Sequence, residues 1–189
     1  MTKDPKTGLP EAAAGVLRFW FDELRPEQWW QRDGDVDAAI RTRFAALRKT
    51  IADDVPPDWL PTARGRLAAV IVLDQFSRNL FRNSARAFET DTAALALAVE
   101  SVDAGLDEQL TKDERVFLYL PFEHSEDAEM QARSVALYEK LGDEATLDYA
   151  RKHKLVIDRF GRFPHRNAVL GRETTDQERE FLEKENWFW

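Results

Sequence analysis

The sequence has no cysteine in its 189 residues, which excludes disulfide scaffolds, thiol nucleophiles and thiolate-ligated zinc or iron–sulfur centres. A reducing compartment is the natural home of such a chain. Glycine and proline are scarce, eight of each, so collagen-like and low-complexity chains are excluded as well. Long apolar runs are missing. The longest, residues 67–73, is far shorter than the roughly 20 residues of a membrane span. The opening MTKDPKTGLPEAAAG lacks a signal-peptide pattern, so a soluble cytoplasmic protein is expected. Positive charge is also short. A formal net charge of -8 and a pI near 5.0 argue against nucleic acid or anionic membrane as partner, since both select a basic surface.

What is present is amphipathic helix. Hydrophobic residues make up 43% of the chain and no stretch alternates apolar and polar residues for the length of a strand. Residues 1–10 read as a loose, flexible tail and 11–189 as a single helical domain. Val16, Leu17, Trp20, Phe21 and Leu24 form one apolar face; Ile40, Phe44, Leu47 and Ile51 form another, stopped by Pro56-Pro57. A third helix, 62–81, is apolar all round in its first half and is expected at the centre of the core. A fourth covers about 85–103 and is stopped by Gly105. Capping boxes at Thr111–Glu114 and Thr175–Glu178 open two more, the first interrupted by Pro121. Helices over 126–141 and 143–160 end at Gly142 and Gly161. The fold expected is all-α: about seven to eight helices in antiparallel pairs, with residues 136–150 carrying the rhythm of a tetratricopeptide unit. The closing Trp187-Phe188-Trp189 is expected to dock on the core, since each such ring buries about 150–250 Å².

Three polar segments stand out. On the third helix, Asp74, Gln75, Arg78, Asn79 and Arg82 share an arc of roughly 140° without a Lys or Glu, and such side chains make directional, planar hydrogen bonds. The plainer account is an exposed face with an i,i+4 Asp74–Arg78 pair. Asp74 can serve only one of Arg78 and Arg82 well, and Asp158 and Glu123 are the other acids flanking the polar segments. The second segment is Leu120 to Asp127. There Ser125 is suited to cap the next helix, with Glu126 and Asp127 at its positive end, and His124 stands just before the cap. The third is Arg159 to Asn167, a helix end and Gly/Pro loop with Arg159, Arg162, His165, Arg166 and Asn167. It lies in a basic strip, seven basic and one acidic group over 151–172, next to an acidic stretch with 14 acidic and four basic groups over 100–150. No recognised metal-ligand spacing, nucleophile motif or phosphate loop is present, so neither metal nor cofactor is expected.

These three segments, Asp74–Arg82, Leu120–Asp127 and Arg159–Asn167, resemble the signature blocks of the uncharacterised bacterial family named domain of unknown function 924. Phe19-Trp20-Phe21 and Phe88 to Asp91 fit as well, and the resemblance runs from about residue 14 through nearly the whole chain. It departs at Ser77, where the family pattern has Pro. The resemblance implies an all-helical, tetratricopeptide-like fold and no established reaction.

The function expected is a binding module whose Arg-lined groove takes an anionic small molecule or an acidic peptide segment. In it Arg78, Arg82, Arg162 and Arg166 supply charge, and Gln75, Asn79 and Asn167 directional bonds. Two rivals stand beside it: a hydrolase or transferase with His124 or His165 as general acid–base oriented by Asp74, and a scaffold binding proteins through Trp29, Trp30 and Trp59.

Overall fold

The computed structural model describes residues 2–184, so the aromatic terminus 187–189 lies outside the described residues. Among the described residues the secondary structure is helical, apart from one isolated antiparallel bridge between Lys3 and Pro10. Among the described residues no helix is long and apolar enough to cross a membrane. The contacts group the chain into two compact units, residues up to Arg82 with Arg86–Pro121, and Asn83–Ala85 with Phe122 onward.

The first unit opens with a turn where a loose tail was expected. Asp4 N–H donates to Leu9 O and Gly8 N–H to Asp4 O (both 2.8 Å), while Asp4 Oδ1 accepts from the amides of Lys6 and Thr7, and Leu9 is buried. Helix α1 is Glu11–Leu17 continued by a π turn, Arg18–Glu23. A short α2, Pro26–Trp30, comes next; its five residues are too few to show a periodic face in the sequence. Asp33 caps α3, Gly34–Asp53, by accepting from the amides of Asp35 and Val36. Helix α4 runs from Ala63–Val70 through a second π turn, Ile71–Phe76, to Ser77–Leu80. Residues 67–73 are each at most 1% exposed, as an all-round apolar helix requires, and α4 packs on α1, α3 and α5 (Asp91–Asp103).

The helix expected over 85–103 is broken. Ala85–Phe88 is a single 3-10 turn, and Thr90 leaves helical geometry because its Oγ1 donates to Leu73 O at 2.7 Å. Helix α6, Lys112–Glu123, starts at the Thr111–Glu114 capping box, in which each residue's amide donates to the other's side chain. It continues through Pro121, where an interruption was expected, for one residue pair more. Around Phe117 the rings of Trp20, Phe21, Trp29 and Trp30 close at 5.3–5.6 Å, each such pair contributing about 0.5–1.5 kcal/mol beyond its buried area. Of the three Trp named for the scaffold reading, Trp59 is fully buried, Trp29 is half-buried and donates its Nε1–H to Trp20 O at 2.7 Å, and Trp30 is exposed.

In the second unit, α7 (Ala128–Leu141) and α8 (Glu144–Phe160) form a helical hairpin through Gly142, whose φ of 68° is the left-handed conformation glycine adopts without strain. The cap of α7 is Asp127, not Ser125: Asp127 Oδ1 accepts from Glu129 and Met130, and Ser125 Oγ accepts from Asp127 N–H. A 3-10 turn, Pro164–Arg166, leads to α9, Asp176–Lys184, opened by the Thr175–Glu178 capping box. Val156, Ile157, Phe163 and Phe181 form its core, with Phe160 and Leu182 packed against them.

Candidate functional site

The polar half of α4 begins inside its π turn. A π turn inserts one extra residue, rotating the residues beyond it by about 100° relative to a regular helix, and this moves the polar arc off the line a regular period gives. Asp74 is 1% exposed. Its carboxylate accepts from Gln75 Nε2 (2.7 Å) and pairs with Arg78 (2.9 Å). Arg78 also holds both oxygens of Asp91 on α5 at 2.9 and 3.0 Å. Burial opposes the charge of its guanidinium, yet Asp74 and Asp91 outweigh that and hold it more firmly protonated than usual. One turn on, Asn79 donates to Asp37 Oδ1 (2.8 Å) and Arg82 grips both Asp37 oxygens at 2.6 and 2.9 Å. Burial would raise the Asp37 pKa, but these bonds and the Arg82 charge leave it lowered. The acids expected to serve the two arginines were Asp74, Asp158 and Glu123. The structure uses Asp74, Asp91 and Asp37; Asp158 pairs with Lys154 and Glu123 with His153. Two arginines thus face three aspartates, and this face carries no surplus positive charge.

Behind this face lies a residue the sequence did not mark. Arg48, 4% exposed, donates to Ser77 Oγ (3.0 Å), Thr90 Oγ1 (3.3 Å) and Glu89 Oε1 (2.5 Å), with its guanidinium 4.8 Å from the Phe81 ring centre. Ser77 N–H reaches back only to Asp74 O, because the π turn has broken the regular ladder there. That is backbone geometry in which a proline is least disruptive at this position.

In the second unit Arg162 is held by Glu178 through Nε (2.6 Å) and Nη2 (2.9 Å). Glu178 also accepts from Thr175 N–H (2.8 Å) and Asn167 Nδ2 (3.2 Å). With Arg162 as the largest cause, these donors lower the Glu178 pKa to about 2. Asn167 is fully buried, and its Oδ1 has no hydrogen-bond partner among the described residues. Glu126 accepts from Phe163 N–H (2.7 Å) and from Arg172 at 2.7 and 3.0 Å; burial works against its charge, but these contacts keep its pKa below the usual carboxylate range. Arg159 lies over the rings of Phe160 and Phe181 at 4.7 and 5.7 Å, on the surface.

The chain's three histidines lie in one cluster. His153 is 5.5 Å from Phe163 and 6.4 Å from His124, ring centre to ring centre, and His165 is 5.7 Å from Phe163. Arg166 covers the same phenyl ring at 4.6 Å. His124 and His165 are half-buried, whereas His153 and Arg166 are buried. His153 Nδ1 lies 2.9 Å from Tyr149 O and 3.2 Å from Glu123 Oε1. So the carboxylate set against an imidazole is Glu123, where Asp74 was expected in that role, and the imidazole is His153, which sits on an otherwise ordinary amphipathic helix face. Among the described residues no group of three potential ligands is placed to hold a metal ion. A cleft of about 200 Å³ in the first unit, lined by Asp4, Leu9, Leu17, Arg18, Asp22 and Arg64 among others, contains none of the candidate site residues.

Two comparisons match this chain. The description "bacterial protein of unknown function (DUF924)" matches residues 16–186. The solved structure of ATU0120, a protein of unknown function from Agrobacterium tumefaciens, is 39% identical, with a TM-score of 0.88 over 93% of this chain and 98% of that one. No curated protein matches.

Proposed function

The chain belongs to the bacterial family DUF924, and on that footing we propose that it is a binding protein for an anionic small molecule, held at the histidine–arginine cluster of the second unit. The observation that carries this is the gathering of the His153 and His165 imidazoles and the Arg166 guanidinium about Phe163, with His124 next to His153. Imidazolium and guanidinium N–H groups are the donors that recognise carboxylate and phosphate oxygens. His124 and His165 are half-buried, and Arg166 is buried over the Phe163 ring. The groove lined by Arg78, Arg82 and Arg162 is not retained in this reading, because Asp74, Asp91, Asp37 and Glu178 occupy those guanidinium groups.

Calorimetric titration with inorganic phosphate, sulfate and a series of mono- and dicarboxylates tests it. At least one anion is expected to bind with a Kd below about 1 mM, and Arg166→Gln or His165→Gln to weaken it about tenfold, or 1.4 kcal/mol. Absence of binding across the series, or equal binding by both folded variants, overturns the reading.

A further inference from the structure

We infer that the cleft of the first unit is a binding site for a small amino acid, with Arg64 and Lys6 taking its carboxylate and Asp22 its ammonium group. This site is independent of the anion reading of the second unit. It is lined by the hydrogen-bonded turn 4–9, by one side of α1 with its π turn, and by the first turn of α4. Leu9, Ala14 and Leu17, all buried, give it an apolar lining. Its volume of about 200 Å³ is below the roughly 300–1,000 Å³ of a drug-sized site, so an occupant of amino-acid size fits it.

The charges that line the cleft are unequally engaged. Arg18 pairs with Asp4 (3.5 Å) and Glu11 (3.2 Å). Asp22 follows Arg18 at the spacing of a helical ion pair, but Arg18 is held by those two acids, and Asp22 lies in the π turn, off the regular i,i+4 line. Among the described residues the exposed Asp22 carboxylate therefore has no hydrogen-bond or ion-pair partner. Arg64 gives only its Nε–H to Glu114 (2.9 Å) and keeps 44% of its side chain in water. Its Nη1 and Nη2, and Lys6 Nζ, have no partner among the described residues. Glu114 is itself fixed: it is buried, and its other oxygen accepts from Thr111 N–H (2.9 Å) in the capping box of α6. Arg64 is thus held in place before a ligand arrives, which lowers the ordering cost of binding. A guanidinium edge with two open N–H groups matches the two oxygens of a carboxylate, and the Lys6 ammonium adds a point charge. Two open cations alone would favour any anion; the open carboxylate of Asp22 in the same cleft selects against a ligand without a positive group. A molecule with one carboxylate, one ammonium and a short apolar body answers all three features.

Backbone amide spectra of the full-length 15N-labelled protein, titrated with L-alanine, L-leucine and γ-aminobutyrate at constant pH and ionic strength, test this. At least one of the three is expected to give saturable shifts at Lys6, Thr7, Arg18 and Asp22 with a Kd below about 1 mM. Its analogue without the ammonium group (for leucine, isocaproate) and its analogue without the carboxylate (isoamylamine) should each bind about tenfold more weakly or worse. Arg64→Gln should weaken the amino acid by about tenfold. Asp22→Asn removes an exposed charge that has no partner, so the fold is kept, and it should erase the preference for the amino acid over the plain carboxylate. No saturable shift at those residues with any of the three overturns the inference. So does a plain carboxylate that binds as tightly as the amino acid, or amino-acid binding unchanged in the folded Asp22→Asn variant.

Discussion

Arg162 closes Nε and Nη2 on the two carboxylate oxygens of Glu178, at 2.6 and 2.9 Å, and so joins the loop after α8 to the first turn of α9. Glu178 is 2% exposed, whereas Arg162 keeps 29% of its side chain in water. Losing one partner of a fully buried pair costs about 3–5 kcal/mol, so this half-open pair is placed at about 2–3 kcal/mol. Glu178→Gln is therefore expected to lower the stability of the folded chain by that amount in urea denaturation at pH 7. The same pair sets an acid dependence. The folded pKa of about 2 lies below the ordinary value of 4.5, so its stabilisation is complete above pH 4.5 and is lost as pH falls toward 2. The gap between wild type and Glu178→Gln should narrow over that interval; a gap independent of pH there contradicts the assignment.

Thr90→Val removes the hydroxyl that donates to Leu73 O in the π turn of α4 and that also meets Ser77 and Arg48. A buried carbonyl left without its donor costs about 1–3 kcal/mol. Scanning calorimetry should record a Tm fall of about 2–4 °C per kcal/mol for a chain of this length. An unchanged Tm would mean that the π turn does not depend on Thr90.

Gly65 lies against Trp59. A Cβ at this position would overlap the Trp59 carbonyl oxygen and press on Thr62 Oγ1 at 2.9 Å. The carbonyl belongs to backbone beside a fully buried indole, so it cannot simply turn away. Gly65→Ala is expected to cost about 3 kcal/mol or more in chemical denaturation, the upper end for overpacking. Gly142→Ala, with open space at its Cβ, should cost only the left-handed backbone penalty of about 1–2 kcal/mol. The reverse order of the two variants would contradict the packing described.

The all-helical fold was legible because burial of one face imposes a 3.6-residue period, and the capping boxes at Thr111 and Thr175 fix helix starts by local chemistry. Features set by distant parts of the chain were not legible. The π turn in α4 and the break at Thr90 depend on a contact across 17 positions; Asp37 meets Arg82 across 45. Pro121 stays helical, and only one residue pair lies beyond it in α6. The polar residues of α4 were found by their composition, but their partners were not. His153 was missed for a different reason: on α8 it falls in line with Leu147, Ala150, Val156 and Ile157 on the buried face, and its carboxylate partner lies 30 positions earlier. A buried histidine on a core stripe beside an Arg/His loop is the one sequence signal that could have pointed to it.

The most direct test of the central claim, an anion held at the second unit's histidine–arginine cluster, is residue-resolved NMR of the labelled protein titrated with inorganic phosphate at constant pH and ionic strength. The account predicts saturable shifts centred on the imidazoles of His124 and His165 and on the backbone of 163–167, abolished in a folded Arg166→Gln variant. Saturating phosphate that leaves those resonances in place, or shifts that persist unchanged in the variant, would contradict it.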